Sequence, residues 1–321
     1  MDLDLAQVRA FAAVAEHRHF GRAAAELNLS QQALSKRIQR LERIIGEVLL
    51  ERAPTGVSLT EAGELFLPHA QQSLAAADAA TAAMRGTRRP VRVDTWGQPH
   101  PPMTRLAETM AAIPEVNIEV SNRRSLPLAL RALLHGELDL AFGRVHDLER
   151  AWPPELSRQL VELSRMGVLL SGRSPLADRQ ALRPADLVGH RVWAPAQGSS
   201  PEFAGWWRRA AEFLDMERET GGRNIGLAQA IADINSDPAR VALLPVQMVL
   251  TEEPGVAAII PLTDPALLFG WSMIWRAGER NRDVMYLIRK LAEMSRGRAW
   301  ASFRPGLDWL PQPDLEDLDG E

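Results

Sequence analysis

Apolar residues recur along this chain at two different periods, and the period changes near residue 90. Before that point the spacing is helical. Leu5, Val8, Phe11, Ala12 and Ala15 predict a first helix, and Phe20, Ala23, Ala24 and Leu27 a short second one. Leu34, Ile38, Leu41 and Ile45 recur at i, i+4, i+7 and i+11, which predicts a third helix with a narrow apolar arc. Asn28-Leu29-Ser30 forms the turn before it, and Ser30 suits an N-cap because its hydroxyl can satisfy an orphan backbone N–H. Gly46 is a helix stop. Leu49-Leu50-Glu51-Arg52 and Gly56-Val57-Ser58-Leu59 flank a Pro54-Thr55-Gly56 turn and predict a short wing-like hairpin. Thr60 then caps a long alanine-rich helix to about Met84, which wants a close partner helix, and residues 85–90 break it.

From Val91 onward short apolar strands alternate with amphipathic helices. The segments VRVDT, VNIEV and LDLAFG are separated by two helices, a βαβαβ order that predicts a parallel sheet with right-handed crossovers. A second α/β set follows from about Leu160, with strands at VELSRMGVLLS, RVWAP and RVALLP and helices at PEFAGWWRRAAEFL and IGLAQAIADI. AAIIPL and LLFGWSMIWR return as strands, and NRDVMYLIRKLAEM as a helix. Two such units joined by chain crossings leave a cleft at their strand ends. Trp300, Phe303 and Trp309-Leu310 are expected to dock on the body before an acidic end that frays.

On a wheel of about 100° per residue, Gln32, Lys36, Gln39 and Arg43 lie opposite the apolar arc of the third helix, flanked by Ser35 and Arg40. That face carries long donors and no carboxylate. Gln and Lys reach base edges in a major groove, while Arg and Ser suit phosphates. The helix pair therefore predicts a helix-turn-helix with its second helix in the groove. The formal charge of −4 argues against this until its placement is considered. Six acids and no base follow Leu307, and the remaining 37 basic and 35 acidic residues give +2. The first 60 residues carry eight bases and seven acids, so DNA affinity has to come from local placement of charge.

The sequence has no cysteine, which excludes disulfides and thiolate chemistry. Its N-terminus lacks a signal-peptide pattern and no apolar run is long enough to span a membrane, so a cytoplasmic protein without membrane contact is expected. No Gly-rich phosphate loop, Gly-x-Ser-x-Gly or paired-carboxylate setting marks an enzyme. No cofactor or metal is expected, and His17 and His19 point to different faces of a helix.

Several ordered segments resemble the LysR-type transcriptional regulators: Phe11-Ala12-Ala13-Val14-Ala15, His19-Phe20-Gly21-Arg22-Ala23-Ala24, Leu29 through Ile38, Leu41-Glu42 and Ser58 through Gly63. Gly136-Glu137-Leu138-Asp139-Leu140-Ala141 resembles the family's Gly-x-Leu-Asp-x-Ala strand. The resemblance implies a winged helix-turn-helix over 1–59, a linker and dimerisation helix with hinge over 60–89, and an α/β effector-binding domain like a periplasmic binding protein over 90–321. Within the last, subdomain I covers about 90–162 and 266–296, subdomain II about 163–265, and an acidic tail 297–321. It implies DNA contacts at Ser30, Gln31, Gln32, Ser35 and Lys36, with Arg52 in the wing; the wheel adds Gln39 and Arg40. For an anionic or aromatic effector, Thr95, Trp96, Ser125, Ser199, Ser200 and Asn224 are the expected positions, with Arg144 as a charge partner. Trp96 either stacks on an aromatic effector or fills part of the cleft. Expected partners are double-stranded DNA with an interrupted palindrome, a small-molecule effector, further copies of the chain as dimer or tetramer, and RNA polymerase. The competing reading is a cytoplasmic solute-binding sensor with no direct DNA readout.

Overall fold

The helical period of the first 45 residues is realised as α1 (Leu5–His17), α2 (Phe20–Glu26) and α3 (Gln31–Ile45). A computed structural model describes residues 3–53, 56–85, 89–96, 100–123, 125–195, 200–221, 226–248 and 257–318, with the side chains of 52–53, 78–79 and 81–85 left aside. Side chains fix the helix starts. Asp4 accepts the Ala6 N–H at 2.8 Å, His19 Nδ1 accepts from Gly21 and Arg22, and Ser30 Oγ accepts the Ala33 N–H at 3.2 Å. Gly46, at φ +88°, closes α3 by donating to Glu42 O at 2.7 Å.

Leu34 and Ile38 pack with Ala10, Val14, Ala23 and Ala24; Leu41 packs with Val8, Phe11, Leu49, Ala70 and Leu74. Each buried leucine contributes on the order of 1.5–3 kcal/mol. The wing is an antiparallel pair, β1 (Leu50–Ala53) and β2 (Gly56–Leu59), and Glu42 Oε1 ties α3 to it by accepting the Leu49 N–H at 2.9 Å. Thr60 starts α4 (Glu61–Arg85): its hydroxyl accepts the Gly63 N–H at 3.0 Å and donates to Val48 O at 2.6 Å. α4 passes so close to β1 that a Cβ on Gly63 would stand 2.1 Å from Leu49 O.

The chain divides into two compact units, residues 1–89 with 132–137, and 90–131 with 138–321. In the second, β3 (Val91–Asp94), β4 (Ile118–Ser121) and β5 (Leu140–Gly143) are parallel in the order β4-β3-β5, joined through α5 (Pro101–Ala112) and α6 (Leu126–Leu134), as the βαβαβ pattern predicts. A long strand β6 (Leu156–Ser171) precedes a second parallel group made of β7 (Arg191–Ala194), β8 (Glu217–Thr220) and β9 (Arg240–Pro245). α7 (Pro201–Phe213) and α8 (Leu227–Ser236) connect these strands. β10 (Ala257–Pro261) pairs with β6, and β11 (Ala266–Arg276) runs antiparallel to both β5 and β6. The described strands follow the order β4-β3-β5-β11-β6-β9-β7-β8, so the two long strands weld the parallel groups together. Asp139 of the Gly-x-Leu-Asp-x-Ala segment is fully buried; it receives the Arg92 backbone N–H at 2.9 Å and the guanidinium groups of Arg92 and Arg276. That motif is a structural staple.

After α9 (Arg282–Gly297) the described chain, through residue 318, docks on the body as the aromatic residues predict and stays folded along the acidic positions it covers. β12 (Asp308–Trp309) runs parallel to β11, and a last turn of helix, α10 (Gln312–Leu315), follows. Trp309 stacks on Phe213 at 4.7 Å, and Leu310, Leu315 and Leu318 pack around Leu163 and Leu268. Three of the six acids are paired: Asp308 with Arg304, Asp314 with Arg144, and Asp317 with His146 and Arg158. β8, β12 and α10 were not legible as elements, because none has an apolar period of its own.

Candidate functional site

Two separate constellations carry chemistry. The first is the outer face of α3. Gln31, Gln32, Lys36, Gln39, Arg40 and Arg43 are exposed, while Ser35 is half-buried. Ser30, also exposed, keeps its hydroxyl proton for an outside acceptor while its oxygen caps the helix. Lys36, Arg40 and Arg43 form no ion pair among the described residues, and the nearby carboxylate of Glu42 is spent on the Leu49 and Leu50 backbone. A row of amide and cationic donors therefore stands free on a helix whose opposite face is locked into the core. Gln31, the first residue of α3, is exposed on its first turn. Arg52 lies in β1, and its side chain is outside the described residues.

The second lies in the α/β unit, around the ends of β3 and β5 and the starts of α6 and α7. Thr95 is buried, with its N–H donating to Ser121 O at 3.3 Å and its hydroxyl to Met103 Sδ at 3.4 Å. Trp96 is the filler. It is 6 % exposed, its indole N–H donates to Phe142 O at 3.0 Å, and its φ is +66°, a left-handed conformation that a bulky residue adopts only when its surroundings hold it. Its ring lies 5.1 Å from Phe203 and 6.0 Å from Trp271, with His100 5.8 Å away. Beneath this group, at the end of β3, Asp94 is buried, and burial pushes its carboxyl up despite hydrogen bonds from Arg123 and Ser121.

Ser125 directly precedes α6, and the helix's first N–H, on Leu126, donates to Glu202 Oε1 at 3.0 Å. Ser200 precedes α7 but makes no side-chain cap; it is buried, and its hydroxyl lies beside the Glu202 carboxylate. Ser199 and Asn224 lie outside the described residues. Arg144 is placed differently from its expected role as an effector's charge partner. It is 1 % exposed and bidentate to Asp314, at 2.7 Å for each bond. It also donates to Asp147 Oδ2 at 2.9 Å and to the Glu202 carbonyl at 3.1 Å. Burial opposes ionisation of Asp147, yet hydrogen bonds from Arg209 and Arg144 outweigh it and hold that carboxyl at about 2.

Glu202, Phe203, His100, Trp271 and Asp314 belong to this second constellation and were not singled out from the sequence. The only signal was weak: Glu202 reads as an acid in the first turn of its own helix, whereas it serves the start of another.

An exposed donor face on the second helix of a winged helix-turn-helix, followed by an α/β half, defines a two-part DNA-binding regulator. Residues 5–64 match the bacterial regulatory helix-turn-helix protein, lysR family, and residues 97–296 the LysR substrate binding domain. The chain belongs to the LysR family of transcriptional regulators. The HTH-type transcriptional regulator BudR of Raoultella terrigena is 33% identical over 300 residues, covering 88% of this chain and 98% of that protein. A probable hydrogen peroxide-inducible genes activator of Mycobacterium xenopi is 40% identical over 144 residues, 43% of this chain and 75% of that one. Among solved structures, full-length OxyR from Pseudomonas aeruginosa superposes with a TM-score of 0.67 at 20% identity, covering 92% and 95% of the two chains. CbnR, a LysR family transcriptional regulator, gives 0.65 at 20% identity over 91% and 99%; both likenesses concern the fold. The chain is thus a DNA-binding transcriptional regulator with an effector-binding domain, of a family that assembles into oligomers and whose members are not enzymes. The reading as a sensor without DNA readout falls with the helix-turn-helix match. No helix among the described residues is long and apolar enough to cross a membrane.

Proposed function

We propose that the chain reads an interrupted palindrome in DNA through α3, as a dimer paired along α4 or a tetramer of such pairs, and that a small effector in the α/β half controls access of RNA polymerase in the cytoplasm. In this account Lys36, Gln32 and Gln39 face base edges, Gln31 meets the groove from the first turn, and Ser30, Ser35, Arg40 and Arg52 hold phosphates. The observation that carries it is the uncompensated donor face of α3. Domain limits follow the same proposal: 1–59 binds DNA, 60–89 pairs the subunits, and 90–321 holds the effector near Thr95, Trp96, Ser125, Ser199, Ser200 and Asn224. Ligand binding biases the spacing or bend of the paired DNA-binding units, a coupling of roughly 1–3 kcal/mol in typical cases.

The test is Lys36→Ala, with binding to a duplex from upstream of the protein's own gene followed by fluorescence anisotropy. A loss of about 1–3 kcal/mol, roughly five- to 150-fold in Kd, is expected for a lost base contact. Unchanged affinity would sink the assignment of the α3 face.

A further inference from the structure

In the α/β half, two features that would ordinarily receive an anion already hold one from the protein itself. The start of α6 gives its Leu126 N–H to Glu202 Oε1, and Arg144 gives its guanidinium to Asp314 and Asp147. Among the described residues, a buried acceptor remains beside the aromatic cluster. Glu202 is wholly buried, and its second oxygen, Oε2, meets no hydrogen-bond partner among the described residues. Trp271 Nε1 likewise meets no partner among the described residues, while the buried Ser200 hydroxyl lies beside the Glu202 carboxylate and helps keep it ionised. Glu202 immediately precedes Phe203, whose ring lies 5.1 Å from Trp96 and 5.9 Å from Trp271. Leaving a buried polar atom unpaired costs about 1–3 kcal/mol, so Glu202 Oε2 and Trp271 Nε1 are a standing penalty that a bound molecule's polar groups would remove. The left-handed backbone of Trp96 adds a second cost at the same place.

We propose that this cluster binds an amine: a ligand whose ammonium group donates to Glu202 Oε2 and Ser200 Oγ while its aromatic or apolar frame lies against Trp96, Phe203 and Trp271. The inference rests on the effector-binding reading of this half and names the ligand's chemical class. Ring faces of tryptophan and phenylalanine are negative and attract a cation within about 6 Å. Burial pushes the Glu202 carboxyl up, and a cation against Oε2 opposes that shift. Arg144 does not compete, because Asp314 and Asp147 compensate its charge. A carboxylate ligand would meet the buried Glu202 acceptor, with the nearby Arg144 already compensated in this way. Trp271 Nε1 offers one donor, suited to a hydroxyl on the same ligand.

The experiment titrates the full chain with 2-phenylethylammonium, its uncharged counterpart 2-phenylethanol and the anion 3-phenylpropanoate, followed by intrinsic tryptophan fluorescence. Saturable binding of the ammonium compound is expected, at least about tenfold tighter than the alcohol or the anion, as one charge-assisted hydrogen bond supplies. Glu202→Gln should remove that preference. Near-UV circular dichroism checks that the variant folds; if it does not, the ammonium-against-alcohol ratio on the unaltered protein decides alone. The proposal is overturned if the anion binds as tightly as the ammonium compound, if folded Glu202→Gln keeps the preference, or if none of the three binds. DNA binding measured on the same preparation reports the regulator reading independently.

Discussion

Individual residues explain why parts of the family signature are what they are. Gly63 closes the Ser58–Gly63 segment because α4 crosses the Leu49 carbonyl at a distance no Cβ can occupy. Gly63→Ala should therefore destabilise the DNA-binding half by about 1–3 kcal/mol, read as a lower Tm, since backbone rather than a flexible side chain must move. Ser30 has a simpler role at the start of α3. Ser30→Ala should cost about 1 kcal/mol through the lost cap and, if the proposed phosphate contact holds, weaken DNA binding as well. The cap, the apolar arc and the donor face were legible in the sequence, because all lie within one fifteen-residue helix and the residue before it. Glu202 was not. Its partner, the Leu126 N–H, is 76 positions away, and no local period relates the two.

The same separation governs the elements. Strands and helices with apolar periods of their own, from β3 to α9, are predictable from sequence; the C-terminal segment is not, because its place depends on pairing with β11 and on Arg144, 170 positions from Asp314. An acidic tail looks solvated until its cations are located. That segment lies beyond residue 296, where the match to the LysR substrate binding domain ends, so the clamp on Arg144 is supplied by chain outside the matched region. Asp314→Asn should cost about 3 kcal/mol in the unfolding of the α/β half, because it leaves a buried guanidinium with less countercharge. Asp147 gives the pH dependence. Its folded pKa of about 2 lies below the ordinary 3.8, so its contribution is fully present above the ordinary value and is lost as pH falls through about 2. Asp147→Asn should lower stability at neutral pH and flatten the acid limb of a Tm-against-pH profile. An unchanged limb would show that other carboxylates govern it.

For the whole molecule, the charge balance decides the architecture of binding. With eight bases against seven acids in its first 60 residues, one winged helix-turn-helix has little long-range attraction for DNA, and two linked copies are needed for useful affinity. α4 offers the surface: Leu65, 69% exposed, shares a helical face with Ala76 and Ala80. Leu65→Glu should shift sedimentation toward monomer and weaken operator binding together. The central claim is paired reading of DNA by α3, and a DNase I footprint of the full chain on its own upstream region tests it most directly. Two protected half-sites on one face of the duplex, separated by a whole number of turns of about 10 bp and both lost with Lys36→Ala, are the predicted result. A single undivided footprint, or two that persist in Lys36→Ala, would contradict it.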